Sequence, residues 1–318
     1  MDIFLSIVLN SIVPIFILIS LGFILDRQFA FDMNTLTKIN VYLYVPAFSF
    51  VLIFTTDISL SLVRVIVLQV TLLVFMFLSG VLLAKALKLP RKTGKAFENA
   101  LMFMNSGNIG ISLVTLVFSN APFADGSHAP YLAAALSVQI MTLLVQNLSV
   151  NTLCFINSGG DGITVKTGII RVLKMPTLYA ISCAVLFKFL PFDFAATPVW
   201  PALVNLRSGL VSIALVTLGV QLSKTRIDLK YKLPYFAAFY RLVCGPAAAF
   251  LLIRLFGFEG IMAQAVFISA STPTAVNTAL ISAESKGDRE FAVQTVTVST
   301  FLSAFTMTTV VYLAYTIF

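Results

Sequence analysis

Long apolar runs, interrupted by charged or Gly/Pro-rich stretches, set the rhythm of the chain. Each run is at least about 18 residues long, enough for a helix to cross the hydrocarbon of a bilayer. They predict ten spans, near residues 3–25, 36–54, 61–87, 96–119, 129–154, 172–190, 199–222, 232–256, 260–284 and 288–317. The first has no basic lead-in and carries Pro14, so it reads as a span and not as a cleaved signal. The longest connection, Asn157-Ser-Gly-Gly-Asp-Gly162, divides the chain into residues 1–154 with five spans, a linker 155–171, and residues 172–318 with five more.

Basic residues orient the spans. Arg27, Lys38, Lys85, Lys88, Arg91, Lys92, Lys95, Lys166, Arg171, Lys174, Lys224, Arg226, Lys230, Lys232, Lys286 and Arg289 all fall beside the odd-numbered loops, sixteen of the 21 in the chain. Only Arg64, Lys188 and Arg254 lie near the opposite loops, while Arg207 and Arg241 fall inside spans. Positive charge marks the cytoplasmic side, so the linker is cytoplasmic and both termini lie outside. Five is odd, so the two halves enter the membrane from opposite sides and form inverted repeats if they share a fold. Gly94–Asn105 and Gly260–Ser271, each a glycine followed by an apolar stretch and then a polar break, open corresponding spans. Inverted repeats with matching broken helices are a pattern of secondary transporters.

Composition narrows the class. Hydrophobic residues make up 59% and charged residues 11%, against roughly 45–50% and about 25% in soluble domains. That excludes nucleic-acid binders, soluble enzymes and disulfide scaffolds, and the net charge of +8 reads as topology signalling. Cys154, Cys183 and Cys244 have no metal-like spacing. The single histidine, His128, falls in a loop, and no acidic pair accompanies it as a membrane-embedded enzyme would require. No metal or cofactor is expected.

Chemistry concentrates in the fourth and ninth spans. The fourth contains Asn105-Ser-Gly-Asn-Ile-Gly110 near its middle, with Gly107 and Gly110 weakening the helix. The ninth contains Ser269-Ala-Ser-Thr-Pro-Thr-Ala-Val-Asn277, where Pro273 removes an N–H and clashes with the preceding turn. Irregular backbone survives in hydrocarbon only where protein or water covers it. Each break would expose a half-helix N-terminus, near Asn108 and Thr274, carrying roughly half a positive charge. Two such ends meeting at mid-membrane favour an anion such as a carboxylate. Asn105, Ser106, Gly107, Asn108, Gly110, Thr272, Pro273, Thr274 and Asn277 are therefore the expected site. No acid falls at mid-membrane, unlike in cation antiporters. Sodium symport, proton symport and uniport are each compatible with this pattern.

Four further residues are secondary candidates: Gln139, Gln146 and Asn147 on the fifth span, and Arg241 in the eighth. The first three, with Asn151, share a helix face at spacings of seven and four. They suit either a lined path or interhelical packing, and Arg241 suits either an anion or snorkelling to the membrane surface.

Asn105–Gly110, Pro273–Asn277, Tyr44-Val-Pro-Ala-Phe48 and Leu218-Gly-Val-Gln-Leu222 together resemble the auxin efflux carrier family of permeases. That resemblance implies the inverted-repeat fold shared with bile-acid sodium symporters. Spans one, two, six and seven would form a scaffold and homodimer face, and spans three to five and eight to ten a mobile transport domain. The unwound spans would cross at the substrate and carry it by an elevator-like motion. The short linker is similar to that of compact bacterial members, inner-membrane permeases for malate, malonate or other organic anions. Auxin exporters have a proline in each crossover, whereas the fourth span here has Gly107 and Gly110. The expectation is thus a transporter of small organic mono- or dicarboxylates, with a non-transporting receptor for such an anion as the alternative.

Overall fold

The computed structural model describes residues 2–56, 59–125, 128–158, 164–191, 193–225 and 227–318. Every apolar run forms helix. α1 (Ile3–Phe29), α2 (Met33–Thr55) and α3 (Leu60–Ala86) are followed by two shorter helices, α4 (Arg91–Met102) and α5 (Ser106–Phe118). Next come α6 (Leu132–Asn157), α7 (Val165–Leu173) and α8 (Pro176–Phe189), then α9 (Val199–Ser223) and α10 (Lys232–Phe256). A second pair of short helices, α11 (Gly260–Ala270) and α12 (Val276–Glu284), precedes α13 (Arg289–Ile317). Seven of these, α1, α2, α3, α6, α9, α10 and α13, are long and apolar enough to cross a bilayer, and α7 with α8 form an eighth stretch bent by 59°.

The region between the halves is more helical than expected. α6 runs on to Asn157, and α7 occupies much of the expected linker because Thr164 and Thr167 cap its first turn reciprocally. Pro176 then starts α8 a few residues later than the predicted 172. Gly159–Gly162 of the Gly-rich stretch, and Arg226 among the basic residues, lie outside the described residues.

Outward faces are apolar. Leu60, Phe189, Leu255 and Phe305 are 78%, 80%, 78% and 76% exposed, as suits helices solvated by lipid. Inward, α1 packs closely on α9. A methyl group at Gly22 would run into the Val216 carbonyl, and one at Gly219 into the Ile19 carbonyl, the close approach that small residues permit. Asp26 accepts from Ser223 and pairs with Lys224 at 3.1 Å at the end of the same interface. α1 and α2 each carry a proline without being broken by it. Pro14 follows a wide turn over Val8–Ile12, and Pro46 one over Asn40–Tyr44, where bonds reach five residues back (Val13 to Val8, Val45 to Asn40). A widened turn is one way to accommodate a ring that lacks an N–H and crowds the carbonyl four residues earlier.

Three basic residues outside the linker-side loops close helix C-termini. Arg64 donates to the Phe256 carbonyl, Lys188 to that of Thr56, and buried Arg241 to that of Ala270 at 3.1 Å. The last carbonyls of a helix lack intrahelical partners and carry partial negative charge, so a cation is favoured there.

Candidate binding site where two broken helices meet

α4 with 12 residues and α11 with 11 each rise about 1.5 Å per residue, and stop in the interior of the protein. The chain then unwinds over Phe103–Asn105 and Pro273–Ala275, and the two unwound segments pair with each other. Asn105 N–H donates to the Pro273 carbonyl at 2.7 Å, and Ala275 N–H to the Phe103 carbonyl at 2.9 Å. Met104 thus faces Thr274 in a single antiparallel bridge.

The remaining N–H groups of the two breaks are met in turn. Phe103 N–H stays with Asn99 at 3.1 Å, Met104 N–H donates to Gln146 Oε1 at 3.2 Å, and Thr274 N–H donates to Ser299 Oγ at 3.2 Å. Pro273 has none to satisfy. A buried unpaired amide costs about 1–3 kcal/mol, so this accounting is what lets non-helical backbone exist at that depth.

Gln139 clamps the crossing. Fully buried on α6, it donates to the Ser106 carbonyl at 2.7 Å and accepts from Ser269 Oγ at 2.5 Å, joining the start of α5 to α11. Gly110 makes room for it: a Cβ there would lie 2.6 Å from Gln139 Nε2.

A cavity of about 280 Å³ opens beside the crossing. One wall is the crossing itself, with Met104, Asn105, Ser106, Gly107, Asn108, Ala275, Val276 and Asn277. Gln146 and Asn147 of α6 form another, and the facing wall carries Asn40 of α2 with Thr217 and Gln221 of α9. At the rim Arg171 and Glu284 pair at 2.8 Å, with the guanidinium 4.1 Å above the Phe155 ring.

The two helix N-termini enter this cavity slightly away from the expected positions. α5 begins at Ser106 and not near Asn108, because Asn105 Oδ1 accepts from Asn108 N–H at 3.2 Å and caps the helix there. α12 begins at Val276 and not near Thr274, because Thr274 is held in the bridge; its cap residue, Ala275, supplies no side-chain bond. Capping fixes which end of the Asn105 amide is free: Nδ2, buried and without a protein partner.

The expected residues therefore divide. Asn105, Ser106, Gly107, Asn108 and Asn277, with Gln146 and Asn147, line the cavity. Gly110, Thr272, Pro273, Thr274 and Gln139 sit behind its wall and build the crossing. Arg241 lies away from the lining, at the C-terminus of α11. Sequence reasoning missed Asn40, Thr217, Gln221, Arg171 and Glu284. The polar pair Thr217 and Gln221, one turn apart in an apolar run, was a usable signal; nothing local marked Arg171 and Glu284, which are 113 residues apart.

Two unwound segments thus pair in the interior beside a polar cavity. Residues 7–167 and 163–312 match the family described as membrane transport protein. The chain belongs to that family. It is the auxin efflux carrier family that the break motifs resemble, a family of transporters and not of enzymes. No curated protein gives a significant match to the chain. As a member of the membrane transport protein family with several bilayer-length helices, the protein is a multi-pass membrane transporter.

Proposed function

We propose that this membrane transport protein carries small organic anions, mono- or dicarboxylates, across a bacterial inner membrane, binding them where the two broken helices meet. One observation carries the proposal. The N-termini of α5 and α12 line one cavity together with Asn105, whose Nδ2 is buried without a protein partner. Helix N-termini and neutral amide donors favour a carboxylate without demanding a buried counter-charge.

In this proposal the helices form ten spans, five in each of two inverted halves, with α4–α5 and α11–α12 as the broken fourth and ninth. The antiparallel pairing of Met104 with Thr274 supports opposite directions for the two segments. α1, α2, α8 and α9, which pack on one another, make up the scaffold and homodimer face. α3 to α6 and α10 to α13 make up the moving body, exchanging access by an elevator-type displacement. The linker side is cytoplasmic, both termini lie outside, and the cavity with its Arg171–Glu284 rim opens inward.

Uptake into proteoliposomes under imposed sodium, proton and voltage gradients tests the proposal. A membrane potential adds about 2.3 kcal/mol per charge at 100 mV to outward movement of a monoanion. Asn108→Leu and Asn277→Leu, each placing an apolar group in the cavity wall, should abolish carboxylate flux in protein that inserts and purifies normally. Parent-like flux in both would overturn the site.

A further inference from the structure

The wall facing the crossing has unmet hydrogen-bonding capacity of its own. Asn40 Oδ1, Thr217 Oγ1 and Gln221 Oε1 are all buried atoms with no protein partner, and all three residues line the cavity. Asn40 and Thr217 are only 5% and 3% exposed. Their placement is fixed by the fold. Asn40 opens the wide turn before Pro46 and donates through Nδ2 to Asn108 Oδ1 at 3.2 Å, which leaves its Oδ1 as the free end. Thr217 and Gln221 lie four residues apart on α9, hence on one face, and α9 packs against both α2 and the first turn of α5.

The two walls differ in chemistry. The crossing offers donors: Asn105 Nδ2 and the N-termini of α5 and α12. The facing wall offers acceptors: two amide carbonyl oxygens, with a hydroxyl that can serve either way. Val41, Val45 and Leu280 provide apolar lining between them.

We infer that Asn40, Thr217 and Gln221 form a second pole of the binding site, one that accepts a hydrogen bond from a neutral O–H or N–H group carried by the anionic cargo. The inference rests on the carboxylate reading above and specifies its substrate class: a carboxylate that also bears a hydrogen-bond donor, held with its charge toward the crossing and its donor toward α2 and α9. A buried acceptor left unpaired is costly, and a cargo group that donates to it removes that cost. Sites built this way reject an analogue that lacks the donor far more strongly than apolar pockets reject an extra methylene.

The test uses the full-length protein and matched acids differing by one hydroxyl: lactate against propionate, 3-hydroxybutyrate against butyrate, and 4-hydroxybenzoate against benzoate. The three pairs sample different spacings between donor and carboxylate. Binding to the purified protein and uptake into proteoliposomes are measured together. At least one hydroxylated acid should be preferred roughly tenfold or more over its partner. Thr217→Val and Gln221→Met, which keep the volume near constant, should each reduce that preference. Equal binding within every pair, or a preference unaltered in both variants, overturns the second pole alone. Failure of every acid, hydroxylated or plain, to bind overturns the carboxylate reading along with it.

Discussion

Gly110 and Gln139 give the sharpest test of how the crossing is held. Gly110 has ordinary helical dihedrals, φ −63° and ψ −48°, so alanine is conformationally welcome there and gains about 1 kcal/mol of helix propensity. Its Cβ, however, would stand 2.6 Å from Gln139 Nε2. To admit it, the amide must swing off the Ser106 carbonyl, now 2.7 Å away, leaving a buried acceptor unpaired at about 1–3 kcal/mol. Gly110→Ala alone should therefore destabilise the protein by up to about 2 kcal/mol, the difference of those two effects. In a Gln139→Ala background the obstacle is already gone and the propensity gain remains, so the same substitution should stabilise. The coupling of the two sites is then about 1–3 kcal/mol. Thermal unfolding of the detergent-purified protein, followed by the fluorescence of Trp200, the single tryptophan, reads the sign directly. A loss of equal size in both backgrounds would show that Gly110 is required for something other than the approach of Gln139.

Gly219→Ala provides the contrasting case. Its Cβ would meet the Ile19 carbonyl and come within 2.8 Å of Phe23 N, both backbone, so α1 must move away from α9. Overpacking of this kind costs about 1–3 kcal/mol, no side-chain truncation should rescue it, and an unchanged melting temperature would refute the close α1–α9 contact. Arg171→Gln and Glu284→Gln should alter stability little. Their side chains are 30% and 54% exposed, and a double-mutant cycle should return less than about 1 kcal/mol; a larger coupling would make the rim pair a structural tie. Ser299→Ala removes the partner of Thr274 N–H and should cost about 1–3 kcal/mol, measured by the same melt, whereas Ser299→Thr, which keeps the hydroxyl, should cost less.

Much of the fold was written in local pattern. Apolar runs of bilayer length mark α1, α2, α3, α6, α9, α10 and α13, because hydrocarbon demands that every backbone group be paired within its own segment. The same demand made Asn105–Gly110 and Ser269–Asn277 conspicuous, since polar residues with glycine or proline are costly in the middle of such a run. Capping and bridging then shifted the helix starts by two residues, to Ser106 and Val276. Those shifts depend on which side chain reaches which N–H. Asn105 acts locally and could have been read as a cap; the Met104–Thr274 pairing joins segments far apart in the chain.

What the sequence alone determined was the kind of protein, its bilayer-length helices, and where two further apolar runs are interrupted, because each follows from the energetics of a single stretch of chain in lipid. Only the tertiary structure decided what the breaks face. Gln139 and Gly110 turned out to be parts of the clamp, Arg241 the cap of α11, and Asn40, Thr217 and Gln221 the far wall of the cavity. Helix periodicity states which face a residue occupies but not which neighbour that face meets, and a binding site is made of such meetings.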